Sequence, residues 1–567
     1  MHSFLVPEPD PSLDFAIVGS GSGALTAAIA AHDAGLRVAI FEKAHVVGGG
    51  TAYSGGVIWA PCNHVMRAKG IEDSIERAVE YLRHASEQRG DEQLALRYSE
   101  SVGSIVAQVE QWTGIKWVIW PGQPDYYPDL PGASLNGRAI LPHPDSADQV
   151  LTPAQEQLPD MEHVRLTPHM DFVPGFQRPT RPAREAWVGG RSIIGGLWKC
   201  VLERGIEYHL RTPAVSLVTD GSRVVGVTVA QADGSAREVR ADRGVLLNTG
   251  GFDWDGEFSR RYLPGPPAMP QTPPSNTGDG VRMAMRLGAA TALMDQALWH
   301  PAIAIPGDTH DTGEPLYRMV NAELGKPHCV VVNRAGRRFA SEAAYYAISD
   351  AWFQLDQRSR RYMNVPSYFV CDARYRRGYG LPGVQGHEPT PDWITRADTL
   401  EQLAAALEID SSGLLDEVDA YNADCASGID GRFGRGQTAY ERYWGDPDHD
   451  GPNPTMGAIA EPPFYAYRLH PSHAGTRGGV LIDCWGRVKS VDGGVIGGLY
   501  ACGNTAANLL FGAGYGSGSA VGSSMVFGYL AARHVMGATG DDEAAGDGVR
   551  SPARGAADAT TIRLPER

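Results

Sequence analysis

Residues 15–43 read "FAIVGSGSGALTAAIAAHDAGLRVAIFEK", and this stretch constrains the fold more than any other. A short apolar run leads through glycines into an alanine-rich segment, which Gly35 closes and a second apolar run follows. Those periods describe strand, turn, helix and strand. Gly19 permits the tight turn after the first strand, and Gly21 lets the backbone come close to a pyrophosphate. Ala24 takes the third small position, where the helix must pack closely. Ser20, Ser22 and Gly23 complete the loop, and the helix start offers free N–H groups to phosphate oxygens. Glu42 ends the second strand 23 residues after Gly19, placed to accept ribose hydroxyls, with Lys43 next to it. A glycine pattern alone is weak evidence. The ordered set predicts a dinucleotide-binding α/β unit.

At 567 residues the chain exceeds one core, and two domains are expected. Lys+Arg is 50 against Asp+Glu 66, a net charge of −16, which argues against nucleic acid or an anionic membrane as partner. The 7 cysteines are dispersed with no CxxC, which fits buried thiols in a reducing cytoplasm and neither disulfides nor zinc. The 17 histidines show no HExxH or similar ligand pair, so no metal site is expected. The start lacks a basic and then apolar leader, and no long apolar span suggests a membrane helix.

Further along, "GGRSIIGGLWKCVLERG" reads as a helix, and 207–252 reads as strands joined by DG-type turns. Region 140–190 is expected to be loop-rich, and the proline-rich stretch "LPGPPAMPQTPPSNTGDG" an exposed loop. After Ala290 the pattern changes, and it reverts near "GGLYACGNTAANLL". This predicts a discontinuous first domain, 13–290 and 458–538, interrupted by an α+β domain at 291–457. The small, polar residues 539–567 are expected to be a disordered tail.

Three later blocks name the dinucleotide. "KAHVVGGGTAYSGGVIWAPCN" clusters Gly49, Gly50, Thr51, Ala52, Ser54, Gly55 and Gly56, where backbone and hydroxyls can lie against a flat ring. "VLLNTGGFDWD" carries Thr249, Gly250 and Gly251, and "GLYACGNTAANLLFGAGYGSGSAVGSSMVFGYLAARHV" carries Gly503, Asn504, Ser519, Ala520 and Val521. With the first fingerprint they resemble, in order, the FAD signatures of the fumarate reductase and ketosteroid dehydrogenase superfamily. The resemblance implies a Rossmann-like FAD domain and adds Ala214 and Val215 to the contacts. A helix starting near Ser519 would face the flavin pyrimidine edge and stabilise negative charge there. Covalent members carry histidine where this chain has Gly50, and His45 lies elsewhere, so non-covalent FAD is implied.

The blocks "PDYYPDLPGASLNGRAI", "VVVNRAGRRFASEAAYY", "DGRFGRGQTAYERYWGDP" and "PPFYAYRLHPSHAGTRGGVLID" resemble 3-ketosteroid dehydrogenases. In small-acid reductases the fourth residue after the block's glutamate is a proton-donating arginine. Here Glu342 plus four is Tyr346, so the resemblance implies a phenolic base. A free phenol has a pKa of ~10 and needs a neighbour to shift it or relay its proton. By resemblance that neighbour is Tyr126 or Tyr127, with Tyr126 favoured. For the ketone oxygen, 1-ene dehydrogenases carry YPGPG. This chain reads "GYGSGSAVG": Gly518 falls on the donor glycine, Gly514 on the tyrosine slot, and Tyr515 is one residue on. The YxSG arrangement is similar to 4-ene-forming relatives, which leaves the double-bond position open.

The expected activity is desaturation next to the carbonyl of a small hydrophobic cyclic ketone, a 3-ketosteroid first. An external quinone or protein would take the electrons. Rival readings are the reverse enone reductase, a fumarate-type reductase, which Tyr346 argues against, and a non-catalytic flavin-binding protein.

Overall fold

The computed structural model describes residues 12–166, 186–221 and 223–537, and the expected tail lies outside them. The apolar run Leu13–Val18 forms a strand that pairs in parallel with Val38–Phe41 on one side and Ala236–Leu247 on the other. Glu207–His209 extends the sheet beyond Val38–Phe41, and Val495–Ala501 joins Ala236–Leu247 in parallel. The chain thus returns to its first sheet near its C-terminal end. Helix Ser22–Asp33 follows the first strand, and helix Ser519–Val535 packs on it. Their contact needs glycine: a Cβ on Gly528 would lie 2.3 Å from the Gly23 carbonyl oxygen. Alanines of the first helix, buried together, make this core small-residue and dense.

The second sheet is mainly antiparallel, in the order Pro315–Met319, Ala297–Thr309, Phe464–Thr476, Ser367–Cys371, Cys329–Asn333. Helices Leu400–Leu407 and Ser411–Ser427 cover part of it through an aliphatic cluster. Its other cluster is aromatic, built from residues such as Tyr126, Trp299, Tyr345, Tyr440, Trp444 and Tyr515. The architecture is therefore α/β with the expected flavoprotein arrangement and a mixed second layer.

Three details differ from the sequence reading. Strand Phe464–Thr476 belongs by pairing to the second sheet, so a boundary at 457 falls before a strand of that sheet. Residues 140–163 are not loop: strand Ala139–Pro142, helix Pro144–Gln157 and a short 3₁₀ turn occupy them. Residues 167–185 of that region lie outside the described residues. The proline-rich stretch is not an exposed loop. Met269–Pro270 adds to Phe464–Thr476, and Gln271, Thr272 and Asn276 are buried. Prolines survive there because that strand makes only a two-residue pairing at the sheet's margin.

Candidate active site

A cavity of about 1030 Å³ runs between the two sheets. Its first half is backbone. Gly19, Ser20, Gly21, Glu42, Lys43, Gly49, Gly50, Thr51, Ser54, Gly55 and Gly56 line it, with Ala214, Thr249, Gly250, Gly503, Asn504, Ser519, Ala520 and Val521. Gly19 holds φ +100°, and a Cβ there would lie 2.1 Å from the Asn248 carbonyl oxygen. Only glycine lets the turn pass. Glu42 is buried, and its carboxylate accepts from Ser20 Oγ at 2.6 Å and Ala44 N–H at 2.8 Å. Lys43 Nζ donates to Thr277 Oγ1 and Asp279 Oδ2, each at 2.6 Å.

The fit to FAD rests on open space. A Cβ at Gly50 would meet nothing nearer than Asn276 Nδ2 at 3.9 Å, so this glycine faces room that a side chain would take from a ring. Not every expected contact faces that room. Ser22, Gly23, Ala24, Ala52 and Gly251 lie behind the wall. Ser22 N–H donates to Thr51 Oγ1 at 3.4 Å, and Gly251 is backed by Thr476. Val215 is 44% exposed and away from the cavity. His45 also lies outside, 3.8 Å from Asp311. Asn248 is an addition. Its Oδ1 accepts from Ala24 N–H at 3.1 Å, and its Nδ2 donates to Cys502 O and Ser524 Oγ at 3.1 and 3.2 Å. It sits one residue before Thr249 in the quoted block, so position could have found it.

The other half is aromatic and apolar, with Trp120, Leu141, Leu298, Leu381, Pro382, Val384 and Trp444 in the wall. Tyr126 and Tyr345 line it, and Tyr345 Oη donates to Tyr126 Oη at 2.9 Å. Tyr346 does not line it. This half-buried residue donates from Oη to the Tyr126 backbone carbonyl at 3.2 Å. Tyr127 is likewise behind the wall, its Oη accepting from Tyr515 N–H at 3.0 Å.

Buried charges hold the pair. Glu342, three residues before Tyr345, is clamped by Arg338 at 2.7 Å through both oxygens and by Arg435 at 3.1 Å. It also accepts from Val331 N–H at 3.1 Å, which ties the short helix Tyr345–Ala351 to the second sheet. Asp125 carries Tyr126. It accepts from Trp59 Nε1 at 2.7 Å and Arg138 Nη1 at 2.9 Å, and Arg138 also grips Asp73. From strand Ala297–Thr309, His300 stacks on Tyr345 with centroids 4.4 Å apart. Neither Glu342's clamp nor His300 was legible as site machinery in the sequence.

Burial dominates the electrostatics. It pushes the phenols of Tyr126, Tyr345, Tyr346 and Tyr515 above the ordinary tyrosine value. It pulls His300 down to about 3, so the imidazole is neutral. Gly518 precedes helix Ser519–Val535 in the left-handed region at φ +74°, and its N–H donates to no described residue. A Cβ there would lie 2.3 Å from the Val57 carbonyl oxygen. Gly518 lines the cavity; Tyr515 is buried just behind, its hydroxyl without a partner among the described residues. A free N–H at a helix start suits a developing oxyanion, whereas the expected second donor, the Tyr515 hydroxyl, is buried behind the wall and does not face the cavity.

An FAD binding domain model matches residues 14–521, so the molecule is an FAD-dependent oxidoreductase. The 3-oxosteroid 1-dehydrogenase of Mycobacterium tuberculosis is 33% identical over 93% of this chain and 99% of its own. The 4-oxocyclohexanecarboxylate 2-dehydrogenase of Sinomonas cyclohexanicum is 35% identical over 99% of this chain and 98% of its own. The crystal structure of Sterolibacterium denitrificans 3-ketosteroid delta1-dehydrogenase with 1,4-androstadiene-3,17-dione is 32% identical. It covers 93% of this chain and 99% of that one, with a TM-score of 0.81. The chain belongs to the 3-ketosteroid dehydrogenase family of FAD-dependent flavoproteins, whose chemistry is the dehydrogenation of cyclic ketones. Among the described residues no helix is long and apolar enough to cross a membrane.

Proposed function

We propose that the protein desaturates the bond next to the carbonyl of a 3-ketosteroid, with Tyr345 as the base and Tyr126 as its relay. The observation that carries this is the 2.9 Å hydroxyl contact between two phenols that both face the cavity. The tyrosine four residues after Glu342 faces elsewhere, so the base is assigned one residue earlier. The Tyr345 phenolate takes the proton from the carbon beside the ketone. The C–H electron pair moves toward the carbonyl, and Gly518 N–H, which faces the cavity, holds the oxygen as charge builds on it. FAD supplies, when bound, the acceptor for the hydride that leaves the next carbon. Gly19–Gly21 and Glu42 would hold one part of it and Gly50–Gly56 another, without a covalent bond, and an external quinone or protein would be the final electron acceptor. The same residues serve the reverse enone reduction. Trp120, Leu141, Leu298, Leu381 and Trp444 in that wall support a flat apolar substrate such as a steroid, with Gln123, Asn321 and Glu388 among the polar groups beside them.

A smaller oxocyclohexanecarboxylate is the second reading, favoured by the likeness to the 4-oxocyclohexanecarboxylate 2-dehydrogenase; Arg318 in the same wall is already paired with Asp308 at 2.6 Å. The test is anaerobic bleaching of the bound flavin by saturated and 4-ene 3-ketosteroids and by 4-oxocyclohexanecarboxylate, with the product's double bond located. No bleaching by any ketone would leave a non-catalytic flavoprotein.

A further inference from the structure

Arg477 lies at the far side of the tyrosine cluster, 3% exposed. Its guanidinium sits 5.6 Å from the Tyr515 ring centroid. Nη1 donates to the Gly512 carbonyl at 3.0 Å, and Nη2 donates to the Gly514 carbonyl. Among the described residues it forms no ion pair. The contrast with Arg138, which faces Asp73 and Asp125, and Arg338, which faces Glu342 and Asp430, is direct. A buried cation without a carboxylate is costly, because the site gives back little of its hydration. The titratable groups around it are Tyr126, Tyr127, Tyr345, Tyr515, Asp350 and His300. Asp350 makes no ion pair with Arg477, and burial pushes its carboxyl up to about 6 against the pull of Arg477, while His300 is neutral. What remains inside is one positive charge among phenols.

We infer that Arg477 is the buried counter-charge of the base, a positioning residue that stabilises the phenolate of the Tyr345–Tyr126 pair and tethers the loop carrying Tyr515. This rests on Tyr345 as the base. In this neighbourhood burial resists ionisation of each phenol, and Arg477 acts on Tyr126, Tyr127 and Tyr515 in the opposite direction. The proton released by Tyr345 passes to Tyr126 as Tyr126 gives up its own to water. The pair then carries one negative charge opposite one guanidinium, and the charge is quenched when the carbon-bound proton returns a phenol.

The test uses FAD-loaded full-length enzyme and a ketone that bleaches the flavin. The readout is the pH profile of the reductive half-reaction for Arg477→Met, which removes charge, and Arg477→Lys, which keeps it. The expected result is an acid-side limb moved upward by at least about one unit in Arg477→Met, tenfold in rate at fixed pH. Arg477→Lys should keep the limb in place. If Arg477→Met does not fold or hold flavin, Arg477→Gln takes its part, since an amide can still donate to Gly512. An unmoved limb in the uncharged variant overturns the inference. Equal loss in the lysine and uncharged variants also overturns it, leaving only a loop tether. Tyr345→Phe at full turnover would instead sink the base assignment, so the two failures are told apart.

Discussion

The two halves of the cavity are built on opposite principles. The cofactor half is made of backbone and small residues: Gly19, Gly21, Gly50 and Gly56 line it, and Glu42 and Asn248 brace it. The substrate half is made of large side chains whose positions depend on distant partners. Tyr126, Tyr345, Tyr440 and Tyr515 come from four separate stretches and pack ring against ring. A cradle of backbone tolerates sequence change wherever glycine is kept. A cluster of rings answers to every neighbour, so it is where specificity and mechanism can drift within one fold.

The largest test of that contrast is the tyrosine pair. Tyr345→Phe should lower turnover by about 10²–10⁴, the usual loss when a general base is removed, with flavin content unchanged. Tyr346→Phe should cost far less, because its hydroxyl only reaches the Tyr126 backbone carbonyl. The reverse ranking of steady-state rates would return the base to Tyr346. Next, Glu342→Gln should lower unfolding free energy by about 3–5 kcal/mol, since two guanidiniums lose a buried partner. A denaturant midpoint close to wild type would show that the clamp does not hold the helix.

The cofactor half should respond differently. Glu42→Ala should weaken FAD retention by about 1.5–3 kcal/mol, the range for hydrogen bonds to a charged group, while the apo-chain stays folded. Equilibrium dialysis measures it, and undiminished affinity would remove Glu42 from the site. Acid should release intact FAD from wild type; colour left on the precipitate would mean a covalent bond.

The last test is of acid stability. His300 has its folded pKa depressed from 6.5 to about 3 by burial, helped by His473 and Arg477. Between those values the unfolded chain binds a proton that the folded chain refuses, so this group's contribution falls as pH drops through the window and is complete above it. His300→Phe should therefore flatten the stability profile between pH 6.5 and about 3 relative to wild type. Parallel profiles would show that His300 stays protonated or exposed when folded.

Much of the first half could be read from the chain because its information is local. Strand, glycine turn, helix and acid lie within 15–43, and each residue's role follows from its own backbone or its place in that run. The second half was legible only as residue types. The resemblance favours Tyr126 over Tyr127 as relay to Tyr346, but the Tyr126 hydroxyl meets Tyr345 instead, and Arg477 and His300 gave no signal.

What the sequence determined by itself is the cofactor fold, the flavin end of the cavity and the presence of phenols at the other. What only the tertiary structure decided is which phenol of the Tyr345–Tyr346 pair faces the cavity. A helix of 7 residues has no phase of its own that the chain announces. Its start at Tyr345 and its rotation are set by the Arg338 and Arg435 clamp on Glu342 and by the His300 ring from a strand 36 residues before the helix begins. Adjacent residues on a helix point about 100° apart. The contacts that choose between them are made across the chain, where no local pattern records them.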